Sequence, residues 1–107
     1  MDITSDKKLK GIVDRLRKTF NPTQIILFGS RARGDFKEDS DYDLLLVVNQ
    51  SGVSRLERMD LATKALEDLS ASADVFVYTT KEFEDWKNEF SSIPEIAIRE
   101  GREILDV

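Results

Sequence analysis

Five apolar residues in a row, Leu44 to Val48, constrain this chain more than any other feature of its sequence. Successive side chains of a strand point to opposite faces, so a run without a polar position must be covered on both sides. Asp41-Tyr42-Asp43 precedes the run and Asn49-Gln50-Ser51-Gly52 closes it, which limits it to the length of an interior strand over 41–48.

The cover is legible on either side of that strand. Leu9, Ile12, Val13, Leu16 and Phe20 recur at helical spacing and predict an amphipathic helix over 5–20, with Thr4 or Ser5 as its N-cap. Asn21-Pro22-Thr23 ends it, and Gln24 to Phe28, short and β-branched, reads as a first strand stopped by Gly29. Ser30 to Gly34 suits a helical turn, followed by a polar, solvated loop that contains Asp35, Glu38 and Asp39. Over 53–69, Leu56, Met59, Ala62, Ala65, Leu66 and Leu69 share one helical face, with Arg55, Glu57, Arg58, Lys64, Glu67 and Asp68 largely opposite. A third strand is expected over 74–79. Residues 81–101 read as partly helical, with Phe83, Trp86 and Phe90 on one stripe, a break around Ser91 to Pro94 and Gly101 as a C-cap. That stripe suits core packing, or a partner interface. A short strand over 102–107 completes an alternation of helices and strands, which is the α/β class.

Length and composition narrow the chemistry. A chain of 107 residues with two prolines fits one domain, and no stretch approaches the roughly 20 apolar residues of a membrane span. The N-terminus has no apolar signal core, so the cytoplasm is the expected compartment. There is no cysteine and no histidine, which removes disulfides, thiolate nucleophiles, Cys/His zinc sites and imidazole bases. The net charge of −5 has the wrong sign for a domain that tracks a nucleic-acid backbone.

Carboxylates, hydroxyls, arginines and backbone amides remain, and one stretch concentrates them. Asp41 and Asp43, two apart on a strand, lie on one face at a spacing of about 6–7 Å. Two like charges about 4 Å apart repel by roughly 4 kcal/mol at an effective dielectric near 20, a sizeable fraction of a small domain's stability. A hard divalent cation with oxygen ligands, Mg²⁺ before Ca²⁺, relieves that repulsion and leaves coordination positions for phosphate oxygens. Asp74 enters the third strand as Asp43 enters the second, so neighbouring strands would bring three carboxylates to one face. Gly29 and Ser30 offer a tight turn, a hydroxyl and amide donors for a phosphate, and Arg31 and Arg33 are either phosphate ligands or solvated surface. Tyr42 must face the other way, toward a core.

The run LFGSRARGDFKEDSDYDLLLVV, with Gly29-Ser30, ten residues and then Asp-x-Asp, resembles the signature of the DNA-polymerase-β-type nucleotidyltransferases. It is most similar to the minimal nucleotidyltransferases of prokaryotes, matching their motif at Gly29, Ser30, Ala32, Arg33, Gly34, Ser40, Asp41, Asp43 and Leu44. The resemblance implies a polymerase-β-like fold, a small mixed sheet with helices packed on it, over residues 1–107 as one minimal nucleotidyltransferase domain. It implies that Gly29, Ser30, Arg33 and Ser40 bind the nucleotide, that Asp41 and Asp43 bind Mg²⁺, and that Asp74 completes the metal site or acts as base. The implied reaction is transfer of AMP from ATP to a hydroxyl, a tyrosine, of an all-helical HEPN-type RNase toxin encoded nearby, which this chain would silence as antitoxin. A hetero-oligomer with that toxin is expected, with a homodimer as the other arrangement. Inhibition of the toxin by stoichiometric binding and adenylylation of a small-molecule hydroxyl are the competing readings.

Overall fold

β2 (Tyr42–Val48) occupies the interior position that its apolar run demands. The computed structural model describes residues 1–105. In it β2 pairs antiparallel with β1 (Gln24–Phe28) and parallel with β3 (Ala73–Thr79), and β1 pairs antiparallel with β4 (Arg102–Glu103). The result is a mixed four-stranded sheet in the order β3-β2-β1-β4. The expected last strand over 102–107 is thus two residues long, and Asp106 and Val107 lie outside the described residues.

Each face of the sheet carries its own apolar layer. Leu44, Leu46 and Val48 join Ile25, Leu27, Val75 and Val77 beneath α1 (Lys7–Phe20) and α3 (Arg55–Leu66). Leu45 and Val47 join Ile26 and Phe28 beneath Phe83 of α4 (Thr80–Trp86) and Ala97 of α5 (Ile93–Glu100). Leu44, Leu45 and Leu46 are 0% exposed, and full burial of such a side chain contributes about 1.5–3 kcal/mol. This clamp holds the rigid end of β2 from which Asp43 projects.

Several sequence expectations shift in detail. The N-cap of α1 is Asp6, not Thr4 or Ser5; its carboxylate accepts from the Leu9 amide at 3.0 Å and also from the Tyr42 hydroxyl at 3.0 Å. Tyr42 is buried on the α1 side, as its place between two acids requires. β2 begins at Tyr42, which leaves Asp41 just ahead of the ladder. The aromatic stripe of 83–90 does not hold together: Phe83 is core, whereas Trp86, the last residue of α4, and Phe90, beyond its end, are 46% and 80% exposed. Ser92 caps α5, and Pro94 lies within its first turn, where a missing amide hydrogen is tolerated. Gly101 is the α5 C-cap in extended backbone, and its lack of a Cβ matters for room, since that atom would collide with the Ala97 carbonyl and the Ile26 side chain.

The largest revision concerns α3. Leu56, expected inside, is 72% exposed, and Arg58, expected outside, is 4% exposed. Helical periodicity reports apolar spacing and is blind to a cation whose partners come from another element. Arg58 donates to the Val77 carbonyl at 2.6 Å and forks onto Glu82 at 2.8 and 3.0 Å. Glu82 also completes the capping box with Thr79 that starts α4. The Arg58 hydrogen bond, opposed by burial and helped by the Thr79 amide, lowers the Glu82 pKa from 4.5 to about 2. Because the folded-state value is the lower one, this contribution is complete above about pH 4.5 and is lost as pH falls toward 2. Arg58→Ala is expected to lower unfolding stability by about 3 kcal/mol, the lower end for a broken buried pair because Glu82 can still reach water. Urea titrations at neutral pH check this, and the gap between Arg58→Ala and the parent should narrow as pH falls below 4.

Candidate active site

At the open end of β2 the sheet register lays a row of side chains across three strands. Asp43 is the partner of Phe28 on β1 and of Asp74 on β3, and neighbouring strands are about 4.8 Å apart. The adjacency that a shared carboxylate site requires is therefore present for Asp43 and Asp74. The Phe28 and Phe76 rings lie 6.1 Å apart, the latter two positions along β3 from Asp74, and give this end of the sheet an aromatic floor.

Gly29 determines how closely the backbone approaches these acids. Its φ of 72° and ψ of −158° belong to a region that only glycine adopts without strain. A Cβ at this position would run into the Asp43 carboxylate, with the carboxyl carbon at 3.0 Å. The end of β1 and the Asp43 side chain thus occupy contiguous space, and Ser30 opens the single turn α2 (Ser30–Arg33) beside them.

Electrostatically the site is unbalanced. Asp43 is half-buried, and its pKa is raised first by that burial, then by the charges of Asp74 and Asp41, with Arg33 opposing. Asp41 and Asp74 are exposed. Among the described residues, no group of three or more carboxylates is drawn together closely enough to hold an ion as it stands. The donors still fit a hard cation: all are oxygens, two are cross-strand neighbours, and the third acts electrostatically on Asp43. With solvent-facing positions left over, such a set suits a metal shared with phosphate oxygens.

The two arginines separate clearly. Arg33 is exposed and bonds Glu100 at 3.0 Å and Asp35 at 3.4 Å, contacts that an incoming anion can exchange at little loss because both are open to solvent. Arg31 instead donates to the Ser40 and Glu38 carbonyls and lies between the Phe36 and Tyr42 rings. It is a structural clamp, not surface. Its signal was available in the aromatic residues at 36 and 42, but no spacing rule ties them to position 31. The Ser40 hydroxyl accepts from the Lys37 amide at 2.9 Å and so shapes the approach to Asp41. A cavity of about 250 Å³ lined by Arg17, Gln24 and Glu103 lies at the opposite end of β1, remote from the acids. The acidic shelf is open, and its geometry, rather than enclosure, identifies it.

The model of the nucleotidyltransferase domain family matches residues 7–103. The chain belongs to this family. A protein from Methanocaldococcus jannaschii assigned as a protein adenylyltransferase is 39% identical over 66 residues, covering 60% of this chain. The chain spans 63% of that curated relative's length. Among solved structures, the MntA–HpeT toxin–antitoxin in mutant form aligns with a TM-score of 0.64 at 18% identity, covering 94% of this chain and 74% of the other. A complex of tri-AMPylated Shewanella oneidensis HEPN toxin with MNT antitoxin aligns with a TM-score of 0.50 at 17% identity, over 94% and 71%. These two likenesses establish the nucleotidyltransferase fold.

Asp43→Asn tests the charge imbalance directly. Because Asp43 has a raised folded-state pKa, its ionisation costs stability as pH rises through that value. Removing the charge is expected to raise the metal-free melting midpoint at pH 7 by a few degrees and to remove stabilisation by added Mg²⁺. Gly29→Ala should do the reverse to the fold, lowering stability by about 1–3 kcal/mol from backbone strain alone and displacing the Asp43 carboxylate. Thermal melts with and without Mg²⁺ read both.

Proposed function

We propose that this chain is a Mg²⁺-dependent adenylyltransferase that moves AMP from ATP to a tyrosine hydroxyl of a HEPN-type RNase toxin and thereby neutralises it. The observation that carries this reading is the register of Asp43 with Asp74 directly beside the Gly29 turn. A carboxylate pair that repels itself is stabilised by a cation, and the glycine beside it lets the Asp43 carboxylate lie against the turn that would receive a triphosphate.

Each residue then has a role set by its position. Gly29 and Ser30 receive the triphosphate, and Arg33 exchanges Glu100 and Asp35 for phosphate oxygens. Asp41, Asp43 and Asp74 hold Mg²⁺, which when bound neutralises the charge on the phosphates. Asp74 is on edge strand β3 and exposed, which leaves it open to an acceptor arriving from outside. The acceptor hydroxyl bonds to the α-phosphorus, the bond from that phosphorus to the bridging oxygen breaks, pyrophosphate leaves, and the hydroxyl proton passes to Asp74. Ser40 supports the nucleotide site by fixing the turn that leads into Asp41.

The acceptor assignment draws on what the similar proteins are described as doing, namely protein adenylylation in one and a tri-AMPylated HEPN toxin bound to MNT antitoxin in another. Incubation of a HEPN-type partner with this chain, ATP and Mg²⁺, followed by intact mass spectrometry, is expected to show AMP-sized adducts that map to tyrosine. Asp41→Asn/Asp43→Asn should form none. Suppression of the partner's RNase activity by that double variant, with no adduct, would instead establish inhibition by binding alone.

A further inference from the structure

We propose that Arg31 is a positioning residue for Asp41, and this rests on the metal-dependent reading of the site. Asp41 makes no hydrogen bond or ion pair of its own among the described residues, and it precedes the β2 ladder. Its placement must come from its neighbours. Both sequence neighbours are held by one side chain. Arg31 Nε and Nη2 donate to the Ser40 carbonyl at 3.1 and 2.9 Å, and Nη2 also donates to the Glu38 carbonyl at 3.0 Å. The same guanidinium is 4.4 Å from the centroid of the Tyr42 ring and 4.5 Å from that of Phe36.

The grip extends into the scaffold. Tyr42 donates its hydroxyl to Asp6, the N-cap of α1, at 3.0 and 3.1 Å. Arg31 is therefore anchored at one end in α2, directly after Ser30, and at the other in a ring fixed to a core helix. Ten residues separate Ser30 from Asp41, and a polar segment of that length samples many conformations unless something ties it down. Arg31 ties it at Phe36, Glu38 and Ser40, which sets the distance between the Gly29-Ser30 turn and the Asp41 backbone. Tyr42 faces the α1 layer whereas Asp43 faces the other side of the sheet, so Arg31 works from behind the strand and is not available as a phosphate ligand. A planar fork that bonds carbonyls in its plane and stacks rings on its faces cannot be replaced by a lysine point charge.

Arg31→Lys and Phe36→Ala test this in the full chain, the second removing only one exposed ring. Three readouts are needed: Mn²⁺ binding by electron paramagnetic resonance, amide hydrogen exchange, and steady-state kinetics with the Mg²⁺ and ATP dependences measured separately. For Arg31→Lys we expect Mn²⁺ affinity and the Mg²⁺ half-saturation point to worsen by about tenfold or more, and kcat to fall by about a hundredfold, as for a misplaced group. The ATP KM should stay within about twofold, exchange should quicken at 38–41, and protection in β1 to β3 should not change. Phe36→Ala should show the same pattern at smaller amplitude. Wild-type Mn²⁺ affinity in Arg31→Lys, or an equal loss of protection throughout the sheet, would overturn the positioning role while leaving the catalytic reading in place. A parent chain that binds no Mn²⁺ would overturn both, since Asp41 would then have no metal to be positioned for.

Discussion

The repulsion between carboxylates at the end of a strand that cannot move is the constraint on which the rest of this molecule depends. Asp43 is fixed because Leu44 to Val48 are packed on both faces, and Asp74 is brought beside it by the parallel register of β3. A less tightly covered strand would relieve the conflict by fraying, and the charges would separate into water. Here the apolar layers under α1 and α3 on one side, and under α4 and α5 on the other, hold the acids together. The core and the site are thus one device: burial at one end of β2 maintains an electrostatic tension at the other.

Buried charge appears in two forms in this chain, and they differ in how they are satisfied. Arg58 and Glu82 near the far end of β3 neutralise each other, each guanidinium nitrogen donates to a carbonyl or a carboxylate, and the pair fastens α3 to the start of α4. Asp43 has no such partner, and Arg33, which acts on it from a distance, is engaged with Glu100 and Asp35. The contrast distinguishes a structural ion pair from a candidate ligand site.

Much of the fold was legible because the relevant signals are local. The five-residue apolar run gave an interior strand, the 3.6-residue spacing of Leu9 to Leu16 gave α1, and Gly29-Ser30 with Asp41 and Asp43 marked the end of the sheet where the candidate site lies. What could not be read depends on contacts between distant segments. Arg58 is buried by partners at 77 and 82 on the same face of α3 as Ala62 and Leu66, Leu56 lies off that face, and Arg31 is a clamp because Phe36 and Tyr42 close around it. The neighbour relation of Asp43 and Asp74 likewise depends on strand order, which no short motif encodes.

That strand order also sets when the acids meet. Asp43 and Asp74 are 31 positions apart, and a parallel pair can form only after the intervening chain has crossed over as α3. The antiparallel β1–β2 pair closes a much shorter separation, and non-local pairings form more slowly. The carboxylates therefore come together later than the β1–β2 pair, and a chain with only that pair formed does not feel their mutual charge. A cation that needs both acids would recognise the finished sheet and nothing earlier, so its binding would report completed folding as well as readiness for chemistry.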